Sequence, residues 1–133
     1  MMLERGRGHV VNVASLAGRF ATPGAAVYGA TKHGVVAFSE ALYHELAPHG
    51  ILVTSVNPGL SPTEAFRPRG PSFVNLDPDD VAALLLDVVR RDIAPEISMP
   101  RSVAALQAFR VLLPPLYRWG VRTIARRYRS DGG

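Results

Sequence analysis

The stretch His9-Val10-Val11-Asn12-Val13-Ala14 is a short run rich in β-branched residues, and Gly8 precedes it. A run of this length and composition predicts a buried β-strand. Ile51-Leu52-Val53-Thr54-Ser55-Val56 is a second run of the same kind, and Asn57-Pro58-Gly59 closes it with a turn. The chain therefore contains two buried strands, and the segments around them determine its architecture.

A helix over about residues 26–47 is predicted between these strands, because apolar positions recur there at intervals of three and four. Residues 16–25 form a loop before it, and Pro48 and Gly50 end it. The expected apolar stripe of this helix consists of Thr31, Val35, Phe38, Leu42 and Leu46.

The remaining elements follow the second strand. Residues 60–76 have no clear period and predict a long surface loop. Asp77 and Pro78 suit the cap and first position of a helix over 77–91. The expected apolar stripe of that helix consists of Val81, Leu84, Leu85, Val88 and Val89. A short strand is predicted at 96–99, and helices are predicted at 102–113 and at 116–127.

Strands and helices that alternate in this way predict an α/β protein with a Rossmann-like, doubly wound parallel sheet. In such sheets ligands bind outside the carboxyl ends of the strands. Ser15 and Pro58-Gly59 both follow strands, and Tyr28 lies near the start of the helix that follows the first strand. We expect these segments to meet at one edge of the sheet.

Lys32 is the single lysine in a chain that otherwise uses arginine for its positive charges, and it lies four residues after Tyr28. Side chains at i and i+4 lie on the same side of a helix. An ammonium beside a phenol favours the phenolate, which makes a tyrosine a usable proton donor and acceptor. The alternative is that Tyr28 is a half-buried helix residue and Lys32 a solvated one.

Composition limits the remaining chemistry. The 133 residues include no cysteine, which excludes disulfides and thiolate chemistry, and four histidines that lie apart in the sequence, so we expect no metal site. We see no signal peptide and no run long enough to cross a membrane, and we expect a soluble, cytoplasmic protein. Residues 101–129 carry seven arginines and no acid. We prefer a solvated helix face there to nucleic acid, and contact with an anionic membrane surface stays open.

Three motifs together resemble the short-chain dehydrogenase/reductase family: Val11-Asn12-Val13-Ala14-Ser15, Tyr28-Gly29-Ala30-Thr31-Lys32, and Asn57-Pro58-Gly59 followed by Thr63. The resemblance covers residues 1 to about 100, which correspond to the C-terminal half of a family domain. It leaves 101–133 as a basic, helical C-terminal extension.

The resemblance implies an oxidoreductase that uses NAD or NADP to interconvert a small-molecule alcohol and ketone. Tyr28 would be the general acid/base, Lys32 would favour its phenolate and bind the nicotinamide ribose, and Ser15 would hold the substrate oxygen. Pro58 and Gly59 would pack against the nicotinamide. Two further cofactor contacts are implied at Ser61, through its backbone, and at Thr63.

The family's Gly-rich pyrophosphate loop and its residue selecting NAD or NADP do not occur in this chain, so the cofactor preference is open. We therefore expect a truncated dehydrogenase with one bare sheet edge, marginal stability and a tendency to form homo-oligomers. The alternative function is a catalytically inactive remnant that acts as an oligomerisation or interaction partner.

Overall fold

The computed structural model describes residues 1–59 and 76–130, and its centre is a sheet of three parallel strands in the order β1-β2-β3. The strands are β1 (Gly8–Val13), β2 (Ile51–Pro58) and β3 (Glu96–Met99). The helices are α1 (Met2–Arg5), α2 (Ala26–Leu46), α3 (Pro78–Arg90), α4 (Val103–Leu112) and α5 (Pro114–Ser130), and short 3₁₀ turns span Leu16–Gly18 and Ala47–His49. Parallel neighbours need a crossover, and α2 and α3 lie in the two crossovers. The predicted α/β class, with a Rossmann-like parallel sheet, is confirmed.

Helix α3 begins where the sequence predicts, because its first turn is capped locally. The Asp77 carboxylate accepts a hydrogen bond of 2.9 Å from the backbone N–H of Asp79, and Pro78 occupies the first helical position. The cap binds one of the N–H groups that the first turn of a helix leaves without a partner. The predicted end at residue 91 falls one residue beyond the last helical residue, Arg90.

The two faces of the sheet pack against different helices. Val56 and Ile97 project to one face, where they pack against the fully buried Val88 of α3 and the partly buried Val11. Successive strand residues alternate between faces, so Asn12 projects to the other face. The Asn12 side-chain amide donates to the Ser39 hydroxyl of α2 at 2.9 Å. The fully buried Val53 lies on the same face as Asn12, so apolar as well as polar contacts join the sheet to α2.

The predicted apolar stripe of α2 is wrong in part. Phe38 is 60% exposed, whereas Ser39 next to it is fully buried together with Gly29 and Val36. The buried Ser39 hydroxyl accepts from the Asn12 side-chain amide and donates to the Val35 carbonyl oxygen, so hydrogen bonds satisfy this polar group inside the protein. In α3 the predicted stripe is confirmed at Val88, but Val89 is 53% exposed.

Within the ranges 1–59 and 76–130, no helix combines the length and hydropathy that a membrane span requires. Helices α4 and α5 contact each other through the turn at Leu113. The Leu113 backbone N–H donates to the Phe109 carbonyl at 3.0 Å, and the Tyr117 backbone N–H donates to the Leu113 carbonyl at 3.1 Å. Both predicted C-terminal helices are present, and Pro114 is the first residue of the second rather than a break before it.

Candidate active site

The carboxyl ends of the strands lie at one edge of the sheet, as the parallel topology requires. The backbone N–H of Ala14, just after β1, donates to the Val56 carbonyl of β2 at 2.8 Å. The backbone N–H of Gly59, just after β2, donates to the Met99 carbonyl of β3 at 2.9 Å. Ser15, Pro58 and Gly59 are therefore placed at neighbouring strand ends.

Ser15 sits directly after β1 in an extended conformation and caps the 3₁₀ turn Leu16–Gly18. Its hydroxyl oxygen accepts a hydrogen bond of 3.1 Å from the backbone N–H of Ala17. This contact uses one acceptor site of the oxygen and leaves the hydroxyl proton available to a further acceptor. The residue is 9% exposed, and the Ala17 N–H fixes the position of its hydroxyl oxygen.

Lys32 links α2 to the end of β1. Its ammonium donates a hydrogen bond of 3.0 Å to the carbonyl oxygen of Val13, the last residue of β1. The same Nζ lies 5.8 Å from the ring centroid of Tyr28, one helical turn earlier. Tyr28 is 49% exposed, so the phenol is open to a ligand while the cation lies over its ring.

A backbone contact fixes the distance between the 3₁₀ turn and α2. A Cβ placed on Gly18 would lie 2.6 Å from the carbonyl oxygen of Lys32 and 2.8 Å from its carbonyl carbon. Real Cβ atoms are not found that close to backbone, so the site requires glycine. Gly29 also faces this turn, since its Cβ would lie 3.6 Å from the Ala17 carbonyl oxygen. Ser15 and Lys32 are held relative to each other by main chain.

Two of the site residues predicted from the sequence, Lys32 and Tyr28, lie side by side on α2. The Lys32 ammonium also binds the last residue of β1, the strand that ends before Ser15. Within residues 1–59 and 76–130, no direct hydrogen bond joins Ser15 to Tyr28. Ser61 and Thr63 lie outside the described residues. In the same two ranges, no three histidine or carboxylate side chains converge to form a metal site.

Sequence reasoning missed a line of polar side chains beneath this edge. The side-chain amide of the fully buried Asn57 donates to Glu96 at 2.7 Å, and the other carboxylate oxygen of Glu96 contacts the guanidinium of Arg19. Burial lowers the pKa of Arg19 below its ordinary value, and the charge of nearby Arg110 adds to that effect, while Glu40 opposes it. The direct contact with Glu96 also favours the charged guanidinium.

The C-terminal helices hold the loop between Ser15 and Tyr28. The Arg110 guanidinium donates to the Arg19 carbonyl oxygen and lies 3.3 Å from Nε2 of His33. The Tyr117 hydroxyl accepts a hydrogen bond of 3.0 Å from the backbone N–H of Ala21. Arg110 also lies 5.9 Å from the Tyr117 ring. No local sequence signal could have found these contacts, because the partners lie 77 to 96 residues apart.

Comparisons with known proteins agree with this geometry. Residues 1–72 match the family model described as short chain dehydrogenase. A "Dehydrogenase/reductase SDR family protein 7-like" from Anopheles gambiae is 30% identical over 141 residues, which cover 97% of this chain and 44% of the relative. The chain thus spans less than half the length of that relative.

Solved structures show the same relationship. A short-chain dehydrogenase from Sphingobium yanoikuyae in complex with NADPH is 29% identical, with a TM-score of 0.64 over 99% of this chain and 48% of the other. The bulky-bulky ketone specific alcohol dehydrogenase from Comamonas testosteroni is 28% identical, with a TM-score of 0.60 over 99% of this chain and 46% of the other.

Proposed function

The chain belongs to the short-chain dehydrogenase family, and we propose that it acts as an NAD(P)-dependent oxidoreductase that interconverts a carbonyl and an alcohol. Tyr28 is the general acid/base of this proposal. One observation carries it: the ammonium of Lys32 lies 5.8 Å from the ring centroid of Tyr28 while it is anchored to Val13, at the sheet edge where ligands of α/β proteins bind.

The proposed roles follow from what each side chain offers. The Tyr28 phenol carries a hydroxyl that can give a proton to a carbonyl oxygen or take one from an alcohol, and the Lys32 ammonium lies beside its ring. The Ser15 hydroxyl keeps its proton free and donates it as a hydrogen bond to the substrate oxygen, where negative charge develops. Both side chains then act on the same oxygen atom.

The residues at this edge fit a nicotinamide cofactor, NAD or NADP. The Lys32 ammonium has three N–H donors and uses one to bind the Val13 carbonyl oxygen, so two remain for ribose hydroxyl oxygens. Pro58 and Gly59 supply an apolar surface for the nicotinamide, and the backbone of Ser61 and the hydroxyl of Thr63 complete the proposed set. When bound, the nicotinamide supplies or accepts the hydride. The relative from Sphingobium yanoikuyae was solved with NADPH, which supports the same class of cofactor here.

The test is turnover of NADH and NADPH with a panel of aliphatic and aromatic ketones, comparing Tyr28→Phe with Tyr43→Phe. Both substitutions remove one hydroxyl from α2, but Tyr43 lies away from this edge, against His44. We expect Tyr28→Phe to lower kcat by about a hundredfold or more, as the loss of a general acid does. Tyr43→Phe should retain the activity.

Cofactor binding gives an independent readout. Lys32→Met should weaken NADPH binding, measured by the enhancement of NADPH fluorescence, because it removes the ribose donors. A chain that binds neither NADH nor NADPH would contradict the proposal and favour the interaction-partner alternative. Self-association, a cytoplasmic location and a boundary between family domain and extension near residue 100 stay predictions.

A further inference from the structure

Five large apolar side chains are exposed within residues 111–119, where α4 meets α5. Val111 is 73% exposed, Leu112 74%, Leu113 50%, Leu116 49% and Trp119 66%. Single exposed apolar residues are normal on protein surfaces, but a contiguous group marks an interaction site. We call these five residues the apolar tip.

Arginines adjoin the apolar tip on α5. Arg118, Arg122 and Arg126 are exposed and follow one another at intervals of four, so they form a row along the helix. Trp119, Arg122 and Arg126 are related by steps of three and four and share the outer side of α5. The sequence holds no acid between residues 101 and 129, so nothing within that stretch neutralises the arginine row.

The opposite side of α5 is already in contact with the protein. The Tyr117 hydroxyl accepts from the Ala21 backbone N–H at 3.0 Å, and the Arg110 guanidinium lies over the Tyr117 ring. These contacts fix which side of α5 faces outward. The apolar tip and the arginine row are therefore presented together, on a helix whose orientation is set.

We propose that the apolar tip and the arginine row dock this protein on an anionic phospholipid surface. Leucine side chains at the tip insert among acyl chains, Trp119 sits at the headgroup level, and the row pairs with lipid phosphates. Charge complementarity favours this occupant over a second copy, whose own arginine row would repel the first. Nucleic acid would match the arginines but gives Leu112, Leu113 and Leu116 no apolar partner.

The proposal is tested by sedimentation with vesicles of phosphatidylcholine alone or mixed with phosphatidylserine. Trp119 is the only tryptophan, so its emission reports the tip directly. We expect binding and a blue shift with the anionic vesicles, both reduced by salt. Each arginine near an anionic surface contributes about fivefold in affinity, so Arg118→Glu/Arg122→Glu/Arg126→Glu should lose about a hundredfold or more.

The matched control reverses three exposed arginines elsewhere, as Arg5→Glu/Arg7→Glu/Arg90→Glu, with the same change in net charge. It should keep most of the binding. Leu112→Ser/Leu116→Ser should bind more weakly and lose the blue shift, and circular dichroism identical to wild type would show that both variants of the patch are folded.

Several results would overturn the proposal. One is equal binding to neutral and anionic vesicles, and another is an equal loss of vesicle binding in the control variant. A third is a blue shift that depends on protein concentration in the absence of lipid, which would identify a second copy of the chain as the occupant. Retention of RNA that the arginine-row variant abolishes, with no vesicle binding, would identify nucleic acid as the occupant instead. The proposal does not depend on the chemistry of Tyr28, so loss of turnover in Tyr28→Phe leaves it unchanged.

Discussion

Gly18→Ala is the sharpest test of how the candidate site is built. The added Cβ would lie 2.6 Å from the Lys32 carbonyl oxygen, whereas non-bonded heavy atoms normally approach to about 3.5 Å. The obstructing atoms are backbone of a 21-residue helix, so they cannot turn aside as a side chain would. The 3₁₀ turn and α2 must separate by roughly 0.5–1 Å to accept a methyl group.

The energetic cost follows from two opposing terms. Overpacking a tight contact costs about 1–3 kcal/mol. Alanine also lowers the conformational entropy of the unfolded chain, which stabilises the folded state by about 0.4–1 kcal/mol. Gly18 has no positive φ, so steric contact is the only penalty in the folded state. The net expectation is a loss of about 1–2 kcal/mol in the free energy of unfolding.

Gly34→Ala is the matched control, because Gly34 lies in α2 and its Cβ would meet nothing within 4 Å. There alanine should stabilise the protein by about 0.5–1 kcal/mol, through its higher helix propensity. Urea unfolding monitored by circular dichroism should therefore separate the two variants by about 1.5–3 kcal/mol, which is roughly 10 °C in Tm. Only Gly18→Ala should also weaken NADPH binding. Equal stability of the two variants would refute the account of the site given above.

Substitutions at three further positions test the surrounding structure. Asp77→Ala removes the cap on the Asp79 N–H and should cost about 1 kcal/mol in urea unfolding, while Asp77→Asn should restore most of it. Val88→Ala empties part of a fully buried position and should cost about 2–3 kcal/mol, whereas a cost below about 0.5 kcal/mol would show that this core is not packed as described. Tyr117→Phe removes the acceptor for the Ala21 N–H and should cost at most about 1 kcal/mol, with faster hydrogen exchange at that amide as the specific readout.

Local rules predicted the elements of this fold well. Asp77 and Pro78 mark the start of α3 because capping depends on neighbouring residues alone. The buried side of α2 was harder to predict. Periodicity assigns the largest apolar side chains to the interior, which selects Phe38, but the buried residue is Ser39, whose hydroxyl accepts a hydrogen bond from Asn12 of β1. That preference comes from tertiary contact, which the helical period does not encode.

The candidate site likewise has features that the sequence predicts and features that it does not. The positions of Ser15 and Lys32 follow from strand order and helix spacing, so the sequence was sufficient to bring them to one edge. The contacts that Arg19 makes with Glu96 and with Arg110 depend on how distant segments of the chain fold together. No pattern within a single segment predicts an arginine on α4 that bonds a carbonyl 91 residues earlier.

The C-terminal helices hold the loop between Ser15 and Tyr28 through its main chain, while the Arg19 side chain links the same loop to Glu96. Arg110 binds the carbonyl of residue 19, and Tyr117 binds the N–H of residue 21, so neither contact involves a side chain of the loop. Exchanging the side chain at Phe20 or Thr22 would thus leave both anchors intact. A library that varies those two positions would therefore change the surface of the loop while the two main-chain contacts that hold it stay in place.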